Sequence, residues 1–194
     1  MSRASHRFLA FLGFLLVFPF FLRRRPRVEQ RITILAPPEV VFAFLEDLSK
    51  WPRWTAWDQA NDAVLYTYGD AAKGVGAEQM WSTHRTSGLL RLVRSDFSKR
   101  LDYELKMGPP EKPGEGKYHL RGRFDLTKDG ACTRVVWRSV WERAQNPYMR
   151  YIDLFLQWMI RRGFSQGLAN LKLLSEKEAR RQADVKEATG SNAL

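Results

Sequence analysis

Residues 37–57, PPEVVFAFLEDLSKWPRWTAW, join a short helix signal to a loop rich in tryptophan. The two prolines are tolerated in a first helical turn, and Glu39 places a negative charge near the helix N-terminus, where it is favoured. The loop then holds Trp51, Trp54 and Trp57. Each tryptophan can bury on the order of 200 Å². The loop is therefore expected to be a lid or plug over an apolar interior, which either holds an apolar ligand or packs on itself.

On both sides of this stretch, apolar and polar residues alternate, which is typical of antiparallel strands with one buried and one wet face. The predicted strands are residues 27–34, 64–68, 74–81, 88–96, 101–107, 117–126 and 133–141, of which residues 88–96 are apolar but alternate poorly. Turn residues separate the later strands at 109–114 and at Asp129-Gly130. Asn146 and Pro147 then suit the N-cap and first position of a long helix, whose apolar spacing continues to Leu174.

Composition limits the class of protein. The chain has 194 residues, of which 44% are hydrophobic and 13% aromatic, and this excludes a wholly disordered chain. Its single cysteine, Cys132, excludes an intramolecular disulfide framework and a cysteine-based zinc site. The net charge of +11 suits an anionic membrane surface. Nucleic acid is the rival partner for such a charge, but no nucleic-acid motif is present, and nucleic acid is not expected as a partner.

The uncharged residues 8–22, FLAFLGFLLVFPFFL, indicate a membrane anchor. As a helix they span roughly 22 Å, shorter than a bilayer core, but flanking arginines can snorkel. A cleaved signal peptide, an anchor that spans or lies in the interface, and a buried core helix are the alternatives, and the anchor is favoured. The expected anchor residues are Phe8, Phe11, Leu15, Phe18, Leu22, Arg23, Arg24 and Arg25. More basic residues follow the segment than precede it, which favours a membrane-anchored chain with its globular domain in the cytoplasm.

The order strand, short helix, six antiparallel strands and long helix is that of the helix-grip fold, an α+β class. Residues 36–42, 51–54, 73–77, Trp81 and 164–174 resemble those of bacterial polyketide cyclase/dehydrase-type members of the START-like superfamily. The resemblance covers residues 28 to about 176. It implies a sheet curled around the last helix, with an apolar cavity between them. The expected organisation is an anchor at 1–26, a START-like domain at 27–182 and a flexible tail at 183–194.

The predicted inner faces carry mostly aromatic residues, and this indicates an apolar binding cavity. The expected lining residues are Trp54, Trp57, Tyr66, Trp81, Tyr103, Tyr118, Trp137, Phe155, Met159 and Gly163. For Trp51 and Trp54 a packing role competes with ligand contact. Asp102, Glu104 and His119 are expected on the outer, solvated face. No metal site and no cofactor are expected, since the three histidines are scattered without carboxylate spacing.

Three functions remain open on these residues. The first is a membrane-tethered binding module for a hydrophobic small molecule such as a lipid, quinone or polyketide. The second is a cyclase- or hydrolase-like enzyme that uses Asp58 or a cavity tyrosine as its acid–base group. The third is a basic protein that interacts through its surface. Fold alone does not decide among them.

Overall fold

The structure, a computed structural model, describes residues 26–55, 64–116, 118–141 and 150–191, and near the N-terminus residues 7, 13, 14, 17, 18 and 21. The strands are β1 (Arg27–Ile34), β2 (Leu65–Tyr68), β3 (Glu78–Ser82), β4 (Ser87–Asp96), β5 (Arg100–Gly108), β6 (Tyr118–Asp129) and β7 (Cys132–Trp141). The helices are α1 (Pro38–Leu45), a 3₁₀ helix (Leu48–Arg53) and α2 (Arg150–Ser191). The α+β class, the strand order along the chain and the long C-terminal helix that the sequence predicts are confirmed.

The strands form one curved antiparallel sheet in the order β1-β7-β6-β5-β4-β3-β2. Alternation along each strand separates its two faces, as β5 shows: Leu101, Tyr103 and Leu105 are buried, while the residues between them are half-buried or exposed. A register shift between Leu92 and Arg94 marks a bulge in β4, which increases the local twist. Outside this bulge, the inner face of the sheet is formed by every second residue of each strand.

The inner face is covered by α1, the 3₁₀ helix and the middle of α2, residues 160–175. In α1, Val41, Phe42 and Leu45 are fully buried. In α2 the buried residues recur at helical spacing, and they are Ile160, Phe164, Leu168, Leu171 and Ser175. This stripe holds the helix against the sheet, mainly beside β1. The helix continues to Ser191, through the segment for which the sequence indicates a tail.

The outer face of the sheet is a lattice of ion pairs between neighbouring strands. Arg138 on β7 joins Glu29 on β1 to Asp125 on β6. Farther along, Asp102 on β5 binds Arg100 through two hydrogen bonds of 2.8 and 2.6 Å and lies 3.3 Å from Arg123 on β6.

Three residues that the alternation assigns to the outer face, Asp102, Glu104 and His119, are found there. His119 Nε2 lies 3.5 Å from a Glu104 carboxylate oxygen. No group of three or more histidine, cysteine or acidic residues that could hold a metal occurs among the described residues.

The N-terminal segment requires a correction. Within the part of the chain that the structure describes, no helix is both long and apolar enough to cross a bilayer. This finding overturns the membrane-anchored location predicted from residues 8–22. Of the expected anchor residues, Phe18 is described, and its ring centroid lies 5.0 Å from that of Phe14. The others, Phe8, Phe11, Leu15, Leu22, Arg23, Arg24 and Arg25, lie outside the described residues, as do Asn146 and Pro147.

Candidate functional site

Strand register arranges the inward side chains in rows that run across the sheet. The first row, at the edge where β3 and β5 end, is Tyr66, Trp81, Gly88, Met107 and Tyr118. The second row is Tyr68, Gln79, Leu90, Leu105, Leu120 and Trp141. The third row is Leu92, Tyr103, Gly122, Ser139 and Val28. The fourth row is Leu101, Phe124, Trp137 and Gln30. We call the first-row edge the open end and the region of the fourth row the closed end.

The closed end is filled by a continuous cluster of aromatic rings. Phe164 of α2 stacks on Trp137 with ring centroids 3.6 Å apart. Trp54 contacts Trp137 and Phe124 at centroid distances of 5.7 and 6.0 Å, in steep edge-to-face geometry. Trp51 meets Tyr103 at 5.2 Å. The part of the tryptophan loop that runs up to Trp54 therefore forms a plug at this end.

Hydrogen bonds to two helices hold the plug in place. The Trp51 indole N–H donates to the carbonyl of Leu45 at 2.8 Å, which ties the loop to α1. The side-chain amide of Asn170 donates to the carbonyl of Trp54 at 3.2 Å, which ties it to α2. These two hydrogen bonds hold the loop in position relative to both helices.

The open end is lined by large apolar side chains that remain accessible. In the first row, Tyr66, Trp81 and Met107 are half-buried, and Tyr118 is 54% exposed. The second row below them is nearly closed, since Gln79, Leu90, Leu105 and Trp141 are each buried. Accessible aromatic surface therefore begins at the edge of the sheet and leads inward toward the core.

Two glycines let aromatic rings lie flat on the sheet. A Cβ at Gly88 would come 2.5 Å from the ring of Trp81, its register partner. A Cβ at Gly122 would come 2.0 Å from the ring of Tyr103, likewise its register partner. Only glycine leaves room for a ring against the neighbouring strand. The positions of Trp81 and Tyr103 therefore depend on these glycines.

The helix α2 packs differently against the two ends. A Cβ at Gly167 would lie 3.3 Å from the Trp137 ring and 3.5 Å from the Trp54 carbonyl, so the helix touches the sheet layer there. One turn earlier, a Cβ at Gly163 would meet no described atom within 4 Å. Gly163 lies at the flank of the buried stripe, four residues after the exposed Met159, and the helix has room beside it there.

Other residues of α2 lie on its solvent side. Phe155 is 60% exposed and Met159 44% exposed, and Leu154 and Trp158 are also exposed. They are out of phase with the buried stripe through Ile160 and Phe164. The structure thus places Phe155 and Met159 beside the open end, on the helix surface turned away from the sheet.

The polar groups of the inner face are neutral. Gln79 donates from its amide to the Leu48 carbonyl at 3.2 Å and to the Tyr68 hydroxyl at 3.3 Å. The Trp137 indole N–H donates to the Tyr103 hydroxyl at 2.9 Å. Burial raises the pKa of Tyr103 well above its usual range, although this hydrogen bond opposes the shift. Tyr103 therefore keeps its proton and serves as a donor or acceptor, not as a general base.

Of the residues that the sequence predicts to line a cavity, the structure brings Tyr66, Trp81 and Tyr118 together in the first row. Trp54 and Trp137 lie in the packed cluster of the closed end, and Tyr103 lies between the two ends. Trp57 and Asp58 are outside the described residues. The sequence analysis did not single out Gly88 and Gly122. A glycine in the interior of a strand pattern is the signal that could have indicated them.

Two hollows lie elsewhere on the molecule. One, of about 950 Å³, lies between α1 and the later part of α2 and is rimmed by charged residues such as Glu39, Arg53 and Asp184. The other, of about 390 Å³, lies on the outer face beside Arg121, Arg123 and Arg138. Both are bordered by solvated charges, unlike the uncharged inner face.

Residues 25–176 match the family model described as polyketide cyclase/dehydrase and lipid transport. Since the match covers most of the chain, the protein belongs to this family. No curated protein sequence matches the chain.

Solved structures share the fold at low sequence identity. The crystal structure of TTHA0849 from Thermus thermophilus is 18% identical, with a TM-score of 0.59, and the match covers 79% of this chain and 99% of that one. A solution structure from Arthrobacter aurescens is 13% identical, with a TM-score of 0.59 and coverages of 78% and 86%. A structure from Nitrosospira multiformis is 21% identical, with a TM-score of 0.52 and coverages of 80% and 99%.

Proposed function

We propose that this protein binds a hydrophobic small molecule at the open end, between the first row of the sheet and the first half of α2. One observation carries the proposal: the first row offers the half-buried Trp81 and Met107, and on α2 no described atom lies within 4 Å of the point that a Gly163 Cβ would occupy. Large apolar surface at a concave edge, with few polar groups, is the usual makeup of a small-molecule site. Membership of a family that includes lipid transport supports the same class of ligand.

Binding is favoured over acid–base catalysis by the chemistry of the described inner face. Its four rows carry no carboxylate, histidine or lysine among the described residues. The remaining titratable groups are tyrosines, and Tyr103 holds its proton because burial raises its pKa. A site of this kind recognises a ligand by apolar contact and a small number of neutral hydrogen bonds.

The test fills the space beside Gly163 and measures binding of a neutral alkyl-naphthylamine dye by its fluorescence. We expect the unaltered protein to bind one dye saturably, and Gly163→Leu to weaken binding at least tenfold. Ser165→Leu adds the same side chain at an exposed position of the same helix and should leave the affinity unchanged. Equal dye affinity in all three proteins, or no saturable binding by the unaltered one, would contradict the proposal.

A further inference from the structure

Two buried hydroxyls on the inner side of β7 differ in their hydrogen bonding. Thr133, at the closed end, is fully buried and donates to the carbonyl of Ala36 at 2.7 Å. Ser139, in the third row, is 1% exposed, and its Oγ has no hydrogen-bond partner among the described residues. Burying a hydroxyl without a partner is unfavourable, so an unpartnered one calls for an explanation.

The surroundings of Ser139 explain why it has no partner within the protein. Its neighbours on the inner face are Val28 on β1 and Gly122 on β6, and neither side chain can form a hydrogen bond. Along its own strand the inward residues on either side are Trp137 and Trp141. Trp137 is already committed, because its indole N–H donates to Tyr103.

The hydroxyl of Tyr103 approaches Ser139 from across Gly122. The ring of Tyr103 lies across Gly122, and its hydroxyl oxygen is 2.4 Å from the point that a Gly122 Cβ would occupy. Gly122 is the register partner of Ser139. The Tyr103 hydroxyl accepts from Trp137 and donates to no acceptor among the described residues. The third row therefore presents two O–H groups, from Tyr103 and Ser139, around one glycine.

Among the buried polar atoms without a partner, Trp54 Nε1 also lies in the core. It differs from Ser139 because Trp54 meets Phe124 and Trp137 edge to face, and aromatic faces can receive an N–H. Ser139 has no such substitute. Two further buried hydroxyls, Ser98 Oγ in the turn before β5 and Ser175 Oγ on α2, also have no hydrogen-bond partner among the described residues. Ser139 differs from them because it lies on the inner face of the sheet, one row below Gln79 and Tyr68.

We propose that Tyr103 and Ser139 form a donor pair for one neutral acceptor oxygen of the ligand, such as a ketone or ester carbonyl at the inner end of an apolar molecule. The inference rests on the proposed function and specifies its ligand class. Two row spacings separate the first row from the third, which is about 13 Å along the strands. Because the second row is nearly closed and Tyr103 and Ser139 are 3% and 1% exposed, an apolar molecule of that length reaches the donor pair when second-row side chains such as Leu90 and Leu105 move aside. A carboxylate is disfavoured, because no cation lies on the described inner face to compensate its charge.

The experiment uses two dyes of the same shape: an acylated dimethylaminonaphthalene and its alkyl counterpart, in which a methylene replaces the carbonyl. We expect Ser139→Ala to weaken binding of the acylated dye roughly two- to tenfold, the worth of one neutral hydrogen bond, and to leave the alkyl dye unchanged. The emission of the bound acylated dye should also shift to shorter wavelength, because its carbonyl loses a donor. Tyr103→Phe should produce the same emission shift.

Thr133→Ala is the matched control, since it removes a buried hydroxyl from the same strand outside the donor pair. It should lower thermal stability without changing the affinity of either dye, whereas Ser139→Ala should not lower stability. If both dyes bind the unaltered protein equally and Ser139→Ala changes neither affinity nor emission, the donor pair is refuted while the proposed function stands. If neither dye binds the unaltered protein, the proposed function itself fails.

Discussion

The two ends of the inner face use the same kinds of residue for different purposes. At the closed end, Trp137 and Phe164 stack and Gly167 brings the helix into contact with them. At the open end, Trp81 lies on a glycine in the same way that Tyr103 does, but it is only half-buried, and no described atom lies within 4 Å of a Cβ at Gly163. Aromatic content alone therefore does not distinguish a core from a binding surface. What distinguishes them is whether the helix reaches the sheet.

The largest expected difference between the ends is in stability. Phe164→Ala should lower the free energy of unfolding by about 3–5 kcal/mol, because it removes a fully buried ring and leaves a cavity beside Trp137. Trp81→Ala should cost less than half as much, since that ring is half-buried, yet it should abolish most dye binding. Denaturant unfolding and dye titration on both variants measure the two effects. A Trp81→Ala protein as unstable as Phe164→Ala would make the open end an ordinary part of the core.

A smaller difference is expected at the two helix glycines. Gly163→Ala should stabilise the protein by roughly 0.5–1 kcal/mol, because alanine has the higher helix propensity and its methyl group meets no neighbour. Gly167→Ala should gain little or lose stability, because its methyl group would press on the Trp137 ring at 3.3 Å. Thermal unfolding of the two variants provides the comparison. Equal gains would show that the helix approaches both ends to the same distance.

The smallest expected effect is a pH dependence of stability, which comes from the charged outer face and not from the neutral inner face. Burial alone would raise the pKa of Asp102, but its hydrogen bond from Arg100 and the charges of Arg100 and Arg123 lower the pKa below its usual value. A carboxyl whose pKa is lowered by folding stabilises the protein fully above its unfolded pKa, near 3.9, and this contribution is lost as pH falls through the folded pKa. Stability should therefore fall below about pH 4, while the dye affinity of the folded protein stays constant.

Asp102→Asn tests this assignment. It should lower stability at neutral pH, by less than about 1 kcal/mol for a partly exposed pair, and make the acid-induced loss shallower. Asp129→Asn, which changes a carboxylate that is 55% exposed, is the control. Urea unfolding between pH 2 and pH 7 measures the slopes. An unchanged slope in Asp102→Asn would assign the acid sensitivity to other carboxylates.

The alternation of apolar and polar residues predicted most of the strands and the inward or outward direction of their side chains. Residues 88–96 were predicted as a strand from an apolar run that alternates poorly, and this strand contains the bulge. It placed Tyr66, Trp81 and Tyr103 on the inner face and Asp102 on the outer face, as the structure has them. Alternation has a period of two residues and carries no information about where along a strand the helix will cover it. The sequence could therefore not distinguish Trp137, which is packed, from Trp81, which is not.

Helix residues were less well predicted for a related reason. Apolar side chains in α2 are more numerous than its buried stripe can take, so spacing alone does not show which of them face the sheet. Phe155 and Met159 lie outside the stripe through Ile160 and Phe164.

The stacked closed end has an optical consequence. The rings of Trp51, Trp54 and Trp137 follow one another at centroid distances of 5.1 and 5.7 Å, close enough for their electronic transitions to couple. Coupled indoles absorb left- and right-circularly polarised light unequally, and this signal vanishes when the rings separate. Trp81 stands apart in the first row, so its emission colour responds to the polarity of whatever lies against it. The chain thus carries two intrinsic, label-free reporters: one of the integrity of its core and one of the occupancy of its open end.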